Sequence, residues 1–131
     1  MYLRFFMLLT PLILMACGGS AEPEQALEER VAARWQHMID RDFESAWDLY
    51  PPGFRRTTPQ DDFARDLSRR DFRWLDASVM DWECSENRCD VQVEVTYQVT
   101  SGPRGISGMQ MSRIINETWV NVDGRWWYGD G

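Results

Sequence analysis

Apolar and polar positions divide this chain into three regimes. Residues 5–16 form a near-continuous apolar run, FFMLLTPLILMA, preceded by one basic residue, Arg4. From about residue 26 the apolar positions recur every three to four residues, which is the helical spacing. From about residue 79 they recur every second residue, the spacing of strands half-buried on one face.

In ALEERVAARWQHMID, residues 26–40, Leu27, Val31, Trp35, Met38 and Ile39 fall on one stripe with charges opposite, predicting an amphipathic helix. Asp40-Arg41-Asp42 breaks it, and Asp42 is the expected N-cap of a second, short helix, DFESAWDLY, that turns Phe43, Ala46, Trp47 and Tyr50 inward. Pro51-Pro52-Gly53 stops that helix, because proline cannot continue the hydrogen-bond ladder. A third helix is expected from Thr58-Pro59-Gln60-Asp61, with Thr58 as cap, Pro59 in first position and Asp61 and Asp62 at the positive dipole end. It runs to about Arg70 and buries Phe63 and Leu67.

Val79–Cys84 reads as a strand. Cys89–Thr100 is the clearest one, with Val91, Val93, Val95, Tyr97 and Val99 on one face and Asp90, Gln92, Glu94, Thr96 and Gln98 on the other. Residues 101–105 form a loop. Met109–Val122 is a long strand whose alternation changes phase near Asn116, predicting a bulge. Asp123-Gly124 signals a hairpin, and Arg125–Tyr128 closes the sheet. Helices followed by antiparallel strands predict an α+β domain, with the helices packed on one face of a curved four-stranded sheet.

The N-terminal run is too short to cross a bilayer, which needs about 20 apolar residues. Phe5–Cys17 spans thirteen, interrupted by Thr10 and Pro11, and Glu22 and Glu24 follow soon after. A signal peptide fits instead. Leu14-Met15-Ala16-Cys17 resembles the lipobox of bacterial lipoproteins. That resemblance implies cleavage before Cys17, a diacylglyceryl thioether on its sulfur that carries fatty-acyl chains such as palmitate, and a membrane-tethered protein in the cell envelope. The residue after Cys17 is Gly18 rather than Asp, which by the same resemblance implies the outer membrane, facing the periplasm. The competing reading is an ordinary secretory signal. Residues 1–16 are thus a signal peptide, 17–25 a tether and 26–131 one domain.

Composition narrows the partners. The chain has 131 residues, net charge −7, 21 acidic residues and no Lys, so all 14 basic side chains are Arg. An acidic balance argues against nucleic acid, which requires a basic footprint. No basic amphipathic segment addresses anionic lipid, so membrane contact rests on the lipid of Cys17. With that residue assigned, Cys84 and Cys89 remain as an even pair. A two-residue turn at Glu86-Asn87, with Asn87 left-handed, would set them opposite each other within disulfide range. The alternatives are free thiols or a redox pair, though redox pairs normally have two intervening residues.

WQHMIDRDFESAWDLYPPGFR is similar to the opening helices of the nuclear transport factor 2-like (NTF2-like) superfamily, the cystatin-like α+β cone, and ETWVNVDGRWWY resembles its terminal hairpin. The resemblance implies a curved sheet around a long first helix with a pocket at the open end. It covers isomerases, dehydratases and non-catalytic binding modules, so it does not select a chemistry.

Candidate chemistry is sparse. His37, the single histidine, lies roughly 130° from the apolar stripe and is expected in solvent. Asp40 and Asp42 at the helix junction, with Tyr50, are the candidates for an isomerase-like or dehydratase-like enzyme, although acids there usually cap helices. Tyr50 and Tyr97 are more often core aromatics than general acids. Arg113 and Glu117 share a face of the third strand beside Trp119, where they would orient a ligand or form a plain ion pair. Trp126 and Trp127 must point to opposite faces of their strand. One of them, joined by Trp82 or Trp119, would make an aromatic patch on the outer sheet for a protein partner or a homodimer. Exposed Trp beside a polar groove would instead suit a cell-wall glycan. No nucleophile motif, phosphate loop or metal-ligand spacing occurs, and no cofactor is expected. The reading is a lipid-anchored, non-catalytic binding module, with the enzyme and glycan readings as alternatives.

Overall fold

A computed structural model describes residues 23–129 of the chain. The lipobox, Cys17 and most of the tether lie outside the described residues. The helices are α1 (Pro23–Asp40), α2 (Phe43–Trp47), α3 (Pro52–Thr57) and α4 (Gln60–Ser68). The strands are β1 (Phe72–Ser85), β2 (Arg88–Val99), β3 (Gln110–Val122) and β4 (Arg125–Tyr128), paired antiparallel in the order β1-β2-β3-β4. No helix among the described residues is long and apolar enough to cross a membrane.

The α1 stripe forms as its periodicity dictates: Leu27, Val31, Trp35 and Met38 are buried, while Ile39 is only half-buried. They pack on the inner face of the sheet, where Cys89, Val91, Val93, Val95 and Trp119 are likewise buried. Alternation along β2 is clean, with Asp90, Gln92 and Glu94 exposed between the buried valines. The structure thus has the α+β architecture that the sequence predicts, with the helices on one face of a curled antiparallel sheet.

Several boundaries differ from expectation, each for a local reason. Helix α2 ends at Trp47, short of Tyr50 and before the prolines, with Asp48 as its C-cap. Pro51-Pro52-Gly53 instead opens another helix, α3, because Pro52 sits where no backbone donor is needed. Helix α4 begins at Gln60, with Pro59 in the cap position and no side-chain cap, so Thr58 does not cap it. The Thr58 carbonyl instead accepts the indole N–H of Trp47 at 2.8 Å. Strand β1 starts at Phe72, well before Val79, and register shifts at Trp74/Asp76 and Val79/Asp81 hide its alternation from a period-two reading. The break expected near Asn116 is absent: β2 and β3 pair without a shift from Arg88↔Val120 to Gln98↔Gln110. Apparent dephasing came from Ile114, an apolar residue left on the outer face at 47% exposure.

At the β1–β2 hairpin, Cys84 and Cys89 pair directly and form a disulfide across a Cα separation of 4.1 Å. Glu86 rather than Asn87 takes the left-handed conformation, at φ 55°. So short a loop contributes about 2 kcal/mol on the chain-entropy account. Its Cys89 end is fully buried against the core.

Candidate functional site

The inner face buries one charged residue from the sheet and one from the helix. On β3, Glu117 stands opposite Val91, in line with Trp119 opposite Cys89 and Arg113 opposite Val95. On α1, Arg34 falls three residues after Val31 and four before Met38, so helical geometry carries it onto the buried stripe. The two meet. Arg34 donates from Nη1 to Glu117 Oε1 at 2.9 Å, with side chains 6% and 0% exposed.

Aromatic groups complete this floor. Trp119 donates its indole N–H to Glu117 Oε2 at 3.0 Å, so both carboxylate oxygens are engaged. Arg34 Nη2 donates to the Tyr50 hydroxyl at 3.2 Å. The guanidinium carbon lies 3.7 Å from the centre of the Tyr128 ring and 5.1 Å from that of Trp35. Burial works against the arginine's charge, yet Tyr50, Glu117 and Tyr128 together hold its pKa above the ordinary arginine value. Burial raises the Tyr128 pKa, against the opposing pull of Arg34, so its hydroxyl keeps its proton through the physiological range.

Above the ion pair lies a cavity of about 240 Å³. Trp35, Trp74, Phe72, Leu67 and Ile115 wall it, Arg34, Glu117, Tyr50 and Tyr128 supply polar groups, and Arg70 also lines it. Edge-to-face contacts fix the walls, with Trp35 and Trp74 at 5.2 Å and 88° and Phe72 and Trp74 at 4.7 Å and 69°. Two donors in this lining are buried without a partner: Arg34 Nε and Trp35 Nε1. An unpaired buried donor costs about 1–3 kcal/mol, so native structures rarely keep two so near each other.

Of the sequence candidates, Glu117, Trp119 and Tyr50 come together at this floor. Arg113 does not; it lies on the same face but is exposed, and Glu117 takes Arg34 as its partner. Asp40 and Asp42 are both exposed and neither lines the cavity. Asp40 accepts from Gln36, while Asp42 caps α2 by accepting the Ser45 N–H. Those Ser45 bonds, helped by His37, hold the Asp42 carboxyl below its ordinary pKa. His37 lies at partial exposure, with Nδ1 3.5 Å from Asp42 Oδ2. Tyr97 joins the aromatic row with Phe72 and Trp74. Among the described residues no group of three or more His, Cys, Asp or Glu converges as metal ligands.

The tryptophans do not make an outer patch. Trp119 and Trp126 are buried in the core, and Trp82 packs against it from the inner face, opposite Val91. The outer face of the sheet is instead polar, with Asp81, Glu83, Asp90, Gln92, Asn116 and Thr118 around a depression whose lining Trp82 and Glu117 complete. Trp127 is half-buried among arginines. Arg34 is the residue that pattern reading missed, although its place between Val31 and Met38 was a visible sign: a charge inside an apolar stripe needs a buried partner.

No protein-family model matches the chain, and no curated protein matches it. Solved structures do. A SEC-C motif containing protein from Rhodopseudomonas palustris is similar over 84% of this chain and 77% of its own, at TM-score 0.56 and 19% identity. Another from Psychrobacter arcticus gives TM-score 0.60 at 13% identity, over 79% of this chain and 58% of its own. A Campylobacter jejuni protein named as an NTF2-like transpeptidase gives 0.51 at 11% identity, over 82% of this chain and 97% of its own. Aln2 from a Streptomyces species gives 0.51 at 17% identity, over 82% and 87%. At these identities the likeness concerns architecture alone. With its long first helix held in a curled antiparallel sheet, the domain has the NTF2-like fold.

Proposed function

We propose that this chain is a lipid-anchored envelope protein whose cone domain binds, without turning it over, a small ligand or a side chain of a partner. The observation that carries the binding reading is the pair of buried, unpaired donors, Arg34 Nε and Trp35 Nε1, in residues that line an aromatic cavity. Donors without acceptors suit an occupant that brings an acceptor oxygen together with an apolar body. A volume of about 240 Å³ limits that occupant to a small ring or one side chain. The cavity's carboxylate is committed on both oxygens, to Arg34 and to Trp119, which leaves no free base at the floor. The disulfide accords with an oxidising compartment, and the lipobox at Cys17 with a lipid anchor there.

Binding is testable with benzenesulfonate, which combines a single aromatic ring with acceptor oxygens and suits a cavity of about 240 Å³. One equivalent should bind, and Leu67→Trp, which fills the cavity, should weaken it about tenfold, or about 1.4 kcal/mol. Equal binding by the filled variant would place the probe elsewhere and end the cavity reading. Anchoring is tested by detergent phase partitioning of the protein expressed in a bacterial host. Cys17→Ala should move it from the detergent to the aqueous phase, and a variant that stays with detergent would refute the lipid anchor.

A further inference from the structure

The second concentration of chemistry in the fold lies apart from the Arg34–Glu117 cavity, on the side where Trp127 of β4 meets arginines of α1 and α3. Trp127 is half-buried there, and guanidinium groups surround its ring. The carbon atoms of Arg30, Arg55 and Arg125 lie 5.4, 5.3 and 5.7 Å from the ring centre. Arg56 lines the adjoining groove of about 570 Å³, with Pro51, Gly53, Val122, Arg125 and Trp127.

The cluster is not neutralised. Among the described residues the arginine ion pairs are Arg34–Glu117, Arg65–Asp62 and Arg88–Asp90, none of which involves these four side chains. Asp123 lines the groove but forms no ion pair with them. The Nε–H groups of Arg30 and Arg55 are buried without a hydrogen-bond partner. The Arg30 guanidinium is held below the ordinary arginine pKa by burial and then by repulsion from Arg125. The indole face offsets part of this, at about 0.5–1 kcal/mol per exposed cation. A neutral ring cannot cancel the net charge of the group. In a chain of net charge −7 with 21 acidic residues, four arginines gathered without a paired carboxylate are an outlier.

We propose that this groove is an anion site for a phosphate-bearing ligand, held between the guanidinium forks of Arg56 and Arg125, with Arg30, Arg55 and the Trp127 ring behind them. Planar forks match phosphate oxygens two at a time, which a point charge does not. The groove is larger than one phosphate, leaving room for a group bonded to it. Inorganic pyrophosphate and a lipid headgroup present the same chemistry. The site is independent of the reading of the Arg34–Glu117 cavity, since none of its four arginines lines that cavity.

Titration calorimetry on the purified chain separates the outcomes. The probes are inorganic pyrophosphate and monomeric dihexanoyl phosphatidylglycerol, with dihexanoyl phosphatidylcholine as the zwitterionic control. At least one anionic probe should bind saturably, and Arg125→Gln and Arg56→Gln should each weaken it about tenfold. Both side chains are exposed, so these variants should fold as the parent does. Arg104→Gln, an exposed arginine in the β2–β3 loop, should bind as the parent does. Pyrophosphate alone would identify a free phosphate ligand, and phosphatidylglycerol alone a headgroup. Binding of neither, or equal weakening by Arg104→Gln, would overturn the site.

Discussion

Glu117→Ala is expected to destabilise the domain by about 3–5 kcal/mol, because it leaves Arg34 buried and unpaired. The guanidinium is only 6% exposed and, among the described residues, has Glu117 as its sole acidic partner, at 2.9 Å. In a domain of about 100 residues, where each kcal/mol moves the melting temperature by about 4–8 °C, the midpoint should fall by roughly 12–40 °C. The double replacement Glu117→Leu with Arg34→Met should recover most of the loss, since it removes both charges and keeps the volume. Urea titration of Glu117→Leu, Arg34→Met and their double gives the coupling energy directly. A single-variant loss under about 1 kcal/mol would mean that water or another group compensates Arg34. The cycle also bears on function. A double variant that folds well but no longer binds the cavity probe would assign the pair to the ligand rather than to the core.

What the sequence disclosed and what it hid follow from the range of each interaction. The α1 stripe and the β2 alternation were legible because burial of one face writes itself into local spacing. The Cys84–Cys89 pairing was legible because a short hairpin is a local object. Strand β1 was half hidden, since its two register shifts insert residues that break period two. Helix α3 was hidden because proline, which reads as a helix stop, is equally suited to the first position of a new helix, where Pro52 sits. The floor of the cavity required knowing that α1 crosses β3 at Glu117, 83 residues away in sequence. Even so, Arg34 inside an apolar stripe announced that some buried carboxylate had to exist. The arginines around Trp127 announced nothing, because they come from α1, α3 and β4 and carry no common spacing. Only the curl of the sheet gathers them.

The same geometry makes Trp119→Ala the second severe substitution, with an expected cost of about 3–5 kcal/mol. Trp119 is fully buried, the largest side chain in the core to be so. Its ring meets Tyr128 edge-on at 5.6 Å and 70°, and its backbone pairs with Tyr128 where β4 closes the sheet. Alanine there would empty the space between Cys89, on the neighbouring strand, and the β4 hairpin. A cavity of that kind collapses poorly when strands fix both sides. Trp119→Phe separates the two roles of the side chain. It keeps an aromatic ring but withdraws the donor from Glu117 Oε2, so part of the loss, about 1–3 kcal/mol, should remain. Met80→Ala, at a residue 57% exposed, should stay within about 0.5 kcal/mol and serves as the control. Denaturant midpoints in the order Met80→Ala, Trp119→Phe, Trp119→Ala are expected. If phenylalanine matched the parent, the indole N–H would contribute nothing, and Glu117 would be held by Arg34 alone.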